Sequence, residues 1–166
     1  MEVILFRHGI AEPGRDDLPD AERALTSQGL DRTRLAAQGL ARVVDRPRAV
    51  LSSPKRRAHQ TACLLAEVFD LPVETCDLLG EEDVDAIVRL LHDRGEDALM
   101  LVGHEPTFSL LAASMLGVAY GRGEVDVKKA AAVVLDAPLH ERDHAGPAVL
   151  RMLLPPRVLR RLAGDA

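Results

Sequence analysis

The sequence predicts an α/β fold built on a largely parallel sheet. Two observations carry this: short apolar runs alternate with longer stretches of helical period, and polar clusters containing Gly, Ser or His directly follow three of the apolar runs. At 166 residues the chain has the length of one domain, residues 1–166, around a single sizeable core.

Each element has its own local reason. Glu2 to Phe6 is a short apolar run and reads as a buried first strand. Thr26 is a good N-cap, and Leu30, Ala37, Leu40 and Val44 recur near a period of 3.6, which predicts a helix from about Ser27 to Val44. Ala49-Val50-Leu51 makes a second strand, broken by Ser52-Ser53-Pro54. The helix that follows carries Ala58, Ala62, Leu65, Ala66 and Phe69. Leu71 to Glu74 reads as a minor strand, and Val84, Ile87, Val88 and Leu91 as the apolar face of a third helix ending before Gly95. Ala98 to Val102 is a fourth strand. Pro106 fits the first turn of a helix running to Leu116, where its missing N–H costs nothing. Beyond Gly117 the pattern weakens. Ala130 to Leu135 and Ala148 to Leu153 read as an edge hairpin joined by a polar loop with Pro138, Gly146 and Pro147, and Pro155-Pro156 opens a short C-terminal helix.

Composition narrows the function classes. With 21 Lys+Arg against 26 Asp+Glu the formal charge is −5, so the surface is not built for broad phosphate binding along a nucleic acid. One Tyr, three Phe and no Trp leave no base-stacking platform. Eighteen of the basic residues are Arg, a chain-wide bias that counts as evidence only where an Arg has a special position. Cys63 and Cys76 form no CxxC pair and read as ordinary thiols. No apolar stretch reaches the ~20 residues of a membrane span, and a soluble cytoplasmic protein is expected.

In a parallel sheet, ligands bind where strand C-termini meet helix N-termini. Three clusters fall there: Arg7-His8-Gly9, Ser52 to Arg57, and Gly103-His104-Glu105. His8, at a strand end before a glycine, presents its imidazole. Taken alone, such a residue is commonly structural. Its neighbours change the reading, because Arg7, Arg57 and Arg56 supply planar donors suited to a phosphoryl group, and the helix start after Pro54 adds partial positive charge. Cations at a helix start are unfavourable unless an anion joins them. Nearby cations also favour the neutral, nucleophilic imidazole at His8. His104, explicable alone as a core or capping residue, can here donate to a phosphoryl oxygen.

Rival chemistries fail on the letters. His104-Glu105 begins like HExxH, but Phe108 stands where the second His belongs. There is neither a GxxxxGK[ST] loop nor a GxSxG elbow. His140 and His144 are four apart, but in a turn-rich segment that makes a poor paired metal site.

Leu5-Phe6-Arg7-His8-Gly9, Leu51-Ser52-Ser53-Pro54-Lys55-Arg56-Arg57-Ala58-His59-Gln60-Thr61-Ala62 and Leu101-Val102-Gly103-His104-Glu105-Pro106 together resemble the histidine phosphatase, or phosphoglycerate mutase-like, superfamily. The resemblance implies a three-layer α/β/α sandwich with a mostly parallel central sheet. It also implies that His8 is the nucleophile forming a phosphohistidine, that Arg7 and Arg57 clamp the phosphoryl group with Arg56 as bystander, and that His104 completes the pocket without metal or cofactor. Ile10-Ala11-Glu12 and Arg23-Ala24-Leu25-Thr26-Ser27-Gln28-Gly29 are similar to the small SixA-type phosphohistidine phosphatases. That branch implies an open pocket acting on phosphohistidine of a signalling or phosphotransfer protein.

The departure lies in the general acid. Many members of the family use a Glu after the third strand. Glu81, Glu82 and Asp83 fall there without the surrounding pattern, and they also read as acids favoured at a helix start. None is assigned the role. A missing acid penalises alkoxide leaving groups by ~10²- to 10⁴-fold but penalises phosphohistidine less. A small-molecule phosphomonoesterase or mutase, and a non-catalytic phosphate-binding or docking module, remain the alternatives.

Overall fold

The structure, a computed structural model, describes residues 1–118, 125–138 and 147–164. Its strands are β1 (Glu2–Arg7), β2 (Ala49–Ser52), β3 (Val73–Thr75), β4 (Ala98–Gly103), β5 (Ala132–Asp136) and β6 (Val149–Leu154). Its helices are α1 (Ser27–Leu40), α2 (Arg56–Phe69), α3 (Val84–Asp93), α4 (Thr107–Met115) and α5 (Pro156–Ala163). The strands form one sheet in the order β3-β2-β4-β1-β5-β6. Pairing is parallel from β3 to β1, while β5 runs antiparallel to β1 and β6 antiparallel to β5 at the edge.

The apolar runs do not alternate because both faces of the sheet are covered. On one face Val3, Leu5, Leu99 and Leu101 pack with Ile87 and Leu91 of α3 and Phe108 of α4. On the other, Ile4, Phe6, Met100 and Val102 pack with Ala36 and Leu40 of α1, Leu65 of α2 and Leu159 of α5. Successive side chains of β1 and β4 thus feed opposite cores, and the result is the expected three-layer sandwich. Among the described residues no helix is long and apolar enough to cross a membrane.

Differences from the sequence reading are local. Helix α1 is capped by Thr26, whose hydroxyl accepts from Gly29 N at 2.9 Å, but it ends at Leu40 instead of Val44. The chain there tightens: Arg42 N bonds the Gly39 carbonyl and Val43 N that of Leu40. Val44 nevertheless packs against the core, so the periodicity identified the correct face beyond the true helix end. Pro106 caps α4 rather than lying within its first turn. Two short 3-10 turns, Asp20–Glu22 and Asp77–Gly80, have no apolar period and escape the sequence reading.

Helices α1 and α5 meet closely at Gly39, where a Cβ would lie 1.8 Å from the Leu159 carbonyl oxygen. Backbone cannot yield as a flexible side chain does. Gly39→Ala should therefore destabilise the fold by about 1–3 kcal/mol, read as a lowered denaturant midpoint with unchanged slope.

Candidate active site

Strands β1, β2 and β4 are parallel neighbours, so their carboxyl ends share one sheet edge. The three polar clusters leave from that edge and are bonded together there. His8 N donates to the Gly103 carbonyl at 3.0 Å and Ser53 N to that of Val102 at 2.9 Å. Gly9 N donates to the Thr61 hydroxyl at 3.1 Å, which in turn donates to the Arg57 carbonyl at 2.8 Å, tying the turn after β1 to the first turns of α2. Gly9 is required by contact: a Cβ there would lie 2.1 Å from the Thr33 hydroxyl.

His8 is 7% exposed, and its Nδ1 lies 2.7 Å from the Gly9 carbonyl oxygen. A carbonyl only accepts, so Nδ1 carries the hydrogen and Nε2 keeps its lone pair. Burial pushes the imidazole down to about 4, and Arg57, Arg7 and Lys129 push it the same way, against the bond to Gly9. His104, equally buried, lies with its ring centroid 5.0 Å from that of His8, and its Nε2 is 2.8 Å from the Ser53 hydroxyl. Burial, followed by His8 and Arg57, pushes it down to about 3. Both rings are neutral at pH 7.

The two arginines are held differently. Arg7 donates through Nη1 to the Val127 carbonyl at 2.7 Å. Arg57 is 5% exposed and spends both terminal nitrogens on Asp20, 2.7 Å to its carbonyl and 2.9 Å to its carboxylate. Arg23 donates to that carboxylate too, and Arg23 first, then Arg57, holds it down to about 2. The sequence reading missed Asp20 altogether, since it lies in a 3-10 turn far along the chain from its partner. Arg56 is exposed and does not line the cavity.

A cavity of about 210 Å³ brings together Arg7, His8, Arg57 and His104 with Glu81, Glu82 and Glu105, and Lys55, Lys129 and Arg23 also border it. Asp83 does not border it; its carboxylate accepts from Ala86 N at 2.9 Å and caps α3. The acidic trio thus divides into two cavity residues and one helix cap. Among the described residues five buried side-chain polar atoms lack a partner, and four belong to the cavity: Nε of Arg7, Nε of Arg57, Nδ1 of His104 and Oε1 of Glu105. Orphaned donors of this kind on two guanidinium groups fit an anion.

Glu105 is the second residue the motif reading passed over. The Ser109 hydroxyl is in hydrogen-bond contact with both the Glu105 carboxyl and, at 2.6 Å, the Val125 carbonyl. The Ser109 hydroxyl donates to both acceptors, its one proton shared between the carboxyl and the carbonyl. Burial raises the Glu105 carboxyl above its ordinary value, against Ser109 and Arg7, which lower it.

Among the described residues no three His, Cys, Asp or Glu side chains cluster as a metal site. His140 and His144 lie outside the described residues.

The model of the histidine phosphatase superfamily (branch 1) matches residues 3–87, and the chain belongs to that family as a SixA-like phosphatase. An uncharacterized protein of Picosynechococcus sp. is 35% identical over 142 residues, 81% of this chain and 84% of the relative. Phosphohistidine phosphatase SixA of Escherichia coli is 30% identical over 122 residues, 69% of this chain and 74% of the relative. The solved structure of the protein histidine phosphatase SixA complexed with tungstate superposes with a TM-score of 0.78 at 25% identity, covering 96% of this chain and 99% of that one.

The two depressed imidazoles make stability depend on pH. Between 6.5 and about 4 for His8, and about 3 for His104, the unfolded chain binds protons that the folded chain refuses. Their contribution is therefore fully present above pH 6.5 and falls as pH drops through that window. Urea midpoints measured from pH 7 to 4.5 should decline, and His8→Gln with His104→Gln should flatten the decline; parallel curves would show that neither imidazole controls it.

Proposed function

We propose that the chain is a phosphohistidine phosphatase working through a phosphoenzyme on His8, as one catalytic domain spanning residues 1–166. The observation that carries this reading is the lone pair of His8 Nε2 in a cavity whose two arginines hold unpartnered Nε groups. Nε2 attacks phosphorus in line, the bond from phosphorus to the leaving nitrogen breaks, and that nitrogen takes up a proton. Arg7, Arg57 and His104 hold the non-bridging oxygens, the phosphoryl group replacing the Asp20 carboxylate on Arg57. Water then attacks the phosphohistidine, releasing inorganic phosphate and restoring neutral His8. The bond from Nδ1 to Gly9 is kept throughout, so the nucleophile has one tautomer at every stage.

Three features support a phosphohistidine on a signalling or phosphotransfer protein as the substrate. The chain resembles a phosphohistidine phosphatase over 69% of its length. Its cavity lies at the ends of the strands, within reach of a side chain on another protein. An imidazole leaves as a neutral molecule once protonated, so it needs less help than an alkoxide. No step uses a metal or a cofactor, and the reading places the enzyme in the cytoplasm.

Small phosphate esters are a second reading because Glu81 and Glu82 do line the cavity, where either could protonate an alkoxide. The two readings separate by mutation. Glu81→Gln and Glu82→Gln should leave phosphohistidine-peptide turnover within about threefold while lowering alkyl phosphate turnover ~10²-fold. Equal losses on both substrates would favour the ester reading.

His8→Ala should remove at least ~10⁴-fold of kcat, as loss of a covalent nucleophile does. Wild type quenched in alkali should retain an acid-labile phosphoryl label that His8→Ala lacks. Turnover surviving in His8→Ala would overturn the mechanism. Glu105→Gln, which keeps the shape and removes the titratable carboxyl, should keep kcat within about threefold, whereas a loss of ~10²-fold would mean that the Glu105 carboxyl moves a proton during the reaction.

A further inference from the structure

Beside the catalytic cavity lies a second groove, of about 470 Å³, that the proposed chemistry leaves unused. It runs between α1, α5 and the segment leading into β5. Arg32, Lys128, Lys129, Arg157 and Arg160 line it, and among the described residues Asp126 is its one acidic lining residue. Asp126 pairs with Lys128 at 3.5 Å, with both side chains largely exposed, so the pair is worth little. Counting Arg7, which also borders it, a chain with a net charge of −5 has gathered six cations on one concave surface.

The placement of α5 adds a second, independent sign. Arg157 lies in the first turn of this helix, at its positive end, where the dipole disfavours cations. No acidic residue stands in that turn, and Pro155 offers no side-chain cap. Arg32 on α1, Arg157 on α5 and the two lysines come from three separate segments, so their convergence is a property of the fold and not of a local charge run.

We propose that this groove docks an acidic stretch of the phosphoprotein substrate, adjoining the phosphorylated residue; this rests on the phosphohistidine reading above. Arg7 and Lys129 border both the groove and the catalytic cavity, so a chain lying in the groove continues directly into the phosphoryl site. Carboxylates match the guanidinium forks of Arg32 and Arg157. Nucleic acid is the poorer occupant, since no aromatic side chain lines the groove for bases to stack on. Exposed rim charges of this kind act through encounter and KM, and are screened by salt.

The test uses two histidine-phosphorylated peptides differing only in their flanks, Glu/Asp in one and Ser/Gly in the other, with wild type and the double variant R32E/R157E. Neither of these arginines borders the catalytic cavity. Wild type should prefer the acidic peptide about tenfold or more in kcat/KM, mainly through KM. The preference should vanish in the double variant and in about 0.5 M salt, with the neutral peptide unchanged within twofold. An unphosphorylated fluorescent Glu-rich peptide should bind wild type and bind the double variant at least fivefold more weakly; R32Q/R157Q should fall between. Equal turnover of both phosphopeptides by wild type would overturn the docking proposal while leaving the phosphatase reading intact. Salt-sensitive binding of the Glu-rich peptide without turnover of either phosphopeptide would keep the acidic docking surface and overturn the phosphohistidine reading. Displacement of the Glu-rich peptide by an equally charged oligo(dT) at lower concentration would overturn the choice of a protein partner.

Discussion

Two imidazoles whose centroids lie 5.0 Å apart, sharing a pocket with the buried guanidinium of Arg57, cannot both carry charge. Two like charges at that distance repel by about 3 kcal/mol at an effective dielectric of about 20, before any cost of leaving water. The site's chemistry depends on that constraint. Burial, and after it the charges of Arg57, Arg7 and Lys129, keep His8 unprotonated, and the carbonyl of Gly9 then decides which nitrogen holds the lone pair. Neither effect suffices by itself: neutrality without the carbonyl leaves the tautomer open, and the carbonyl without burial favours the protonated ring.

The rest of the fold holds those two rings in place. Parallel pairing of β1, β4 and β2 brings three strand ends to one edge, and the two hydrophobic cores cover both faces so that the edge is the outlet for polar groups. The turn after β1 approaches α1 so closely that only glycine fits at position 9, and Thr61 bonds it to α2. Glu105 belongs to the same electrostatic arrangement, because burial raises its carboxyl above the ordinary value while Ser109 and Arg7 lower it.

The sheet and its helices were legible from sequence because each apolar run has a length and period that burial on one or both faces requires. Even the overlong α1 was informative, as Val44 keeps its place on the core after the helix has ended. That His8, Arg7, Arg57 and His104 meet in one cavity was legible because they sit at the ends of readable strands or the start of a readable helix, beside glycine or proline. Asp20 and Glu105 were not, for different reasons. Asp20 lies in a turn without period, and its bond to Arg57 spans 37 residues. Glu105 was visible in its motif, but its half-buried setting and the Ser109 hydroxyl it shares with the Val125 carbonyl are a three-body contact that no spacing rule encodes. Asp83, grouped in sequence with Glu81 and Glu82, was separated from them by a capping bond that only the actual start of α3 determines.

Asp20 also completes an argument begun at the sequence. A guanidinium at the start of α2 needs an anion, and in this structure the chain supplies one. Arg57 is nearly inaccessible, so leaving it unpaired would carry the penalty of a buried bare charge. The Asp20 carboxylate removes that penalty, yet it is 59% exposed and divided between Arg57 and Arg23. A phosphoryl group has more negative charge and more acceptor oxygens than a carboxylate. Under the proposed function, exchange of one anion for the other keeps Arg57 paired at every stage, with the released carboxylate still held by Arg23. The pocket can thus be strongly cationic toward a substrate without being destabilised in its absence.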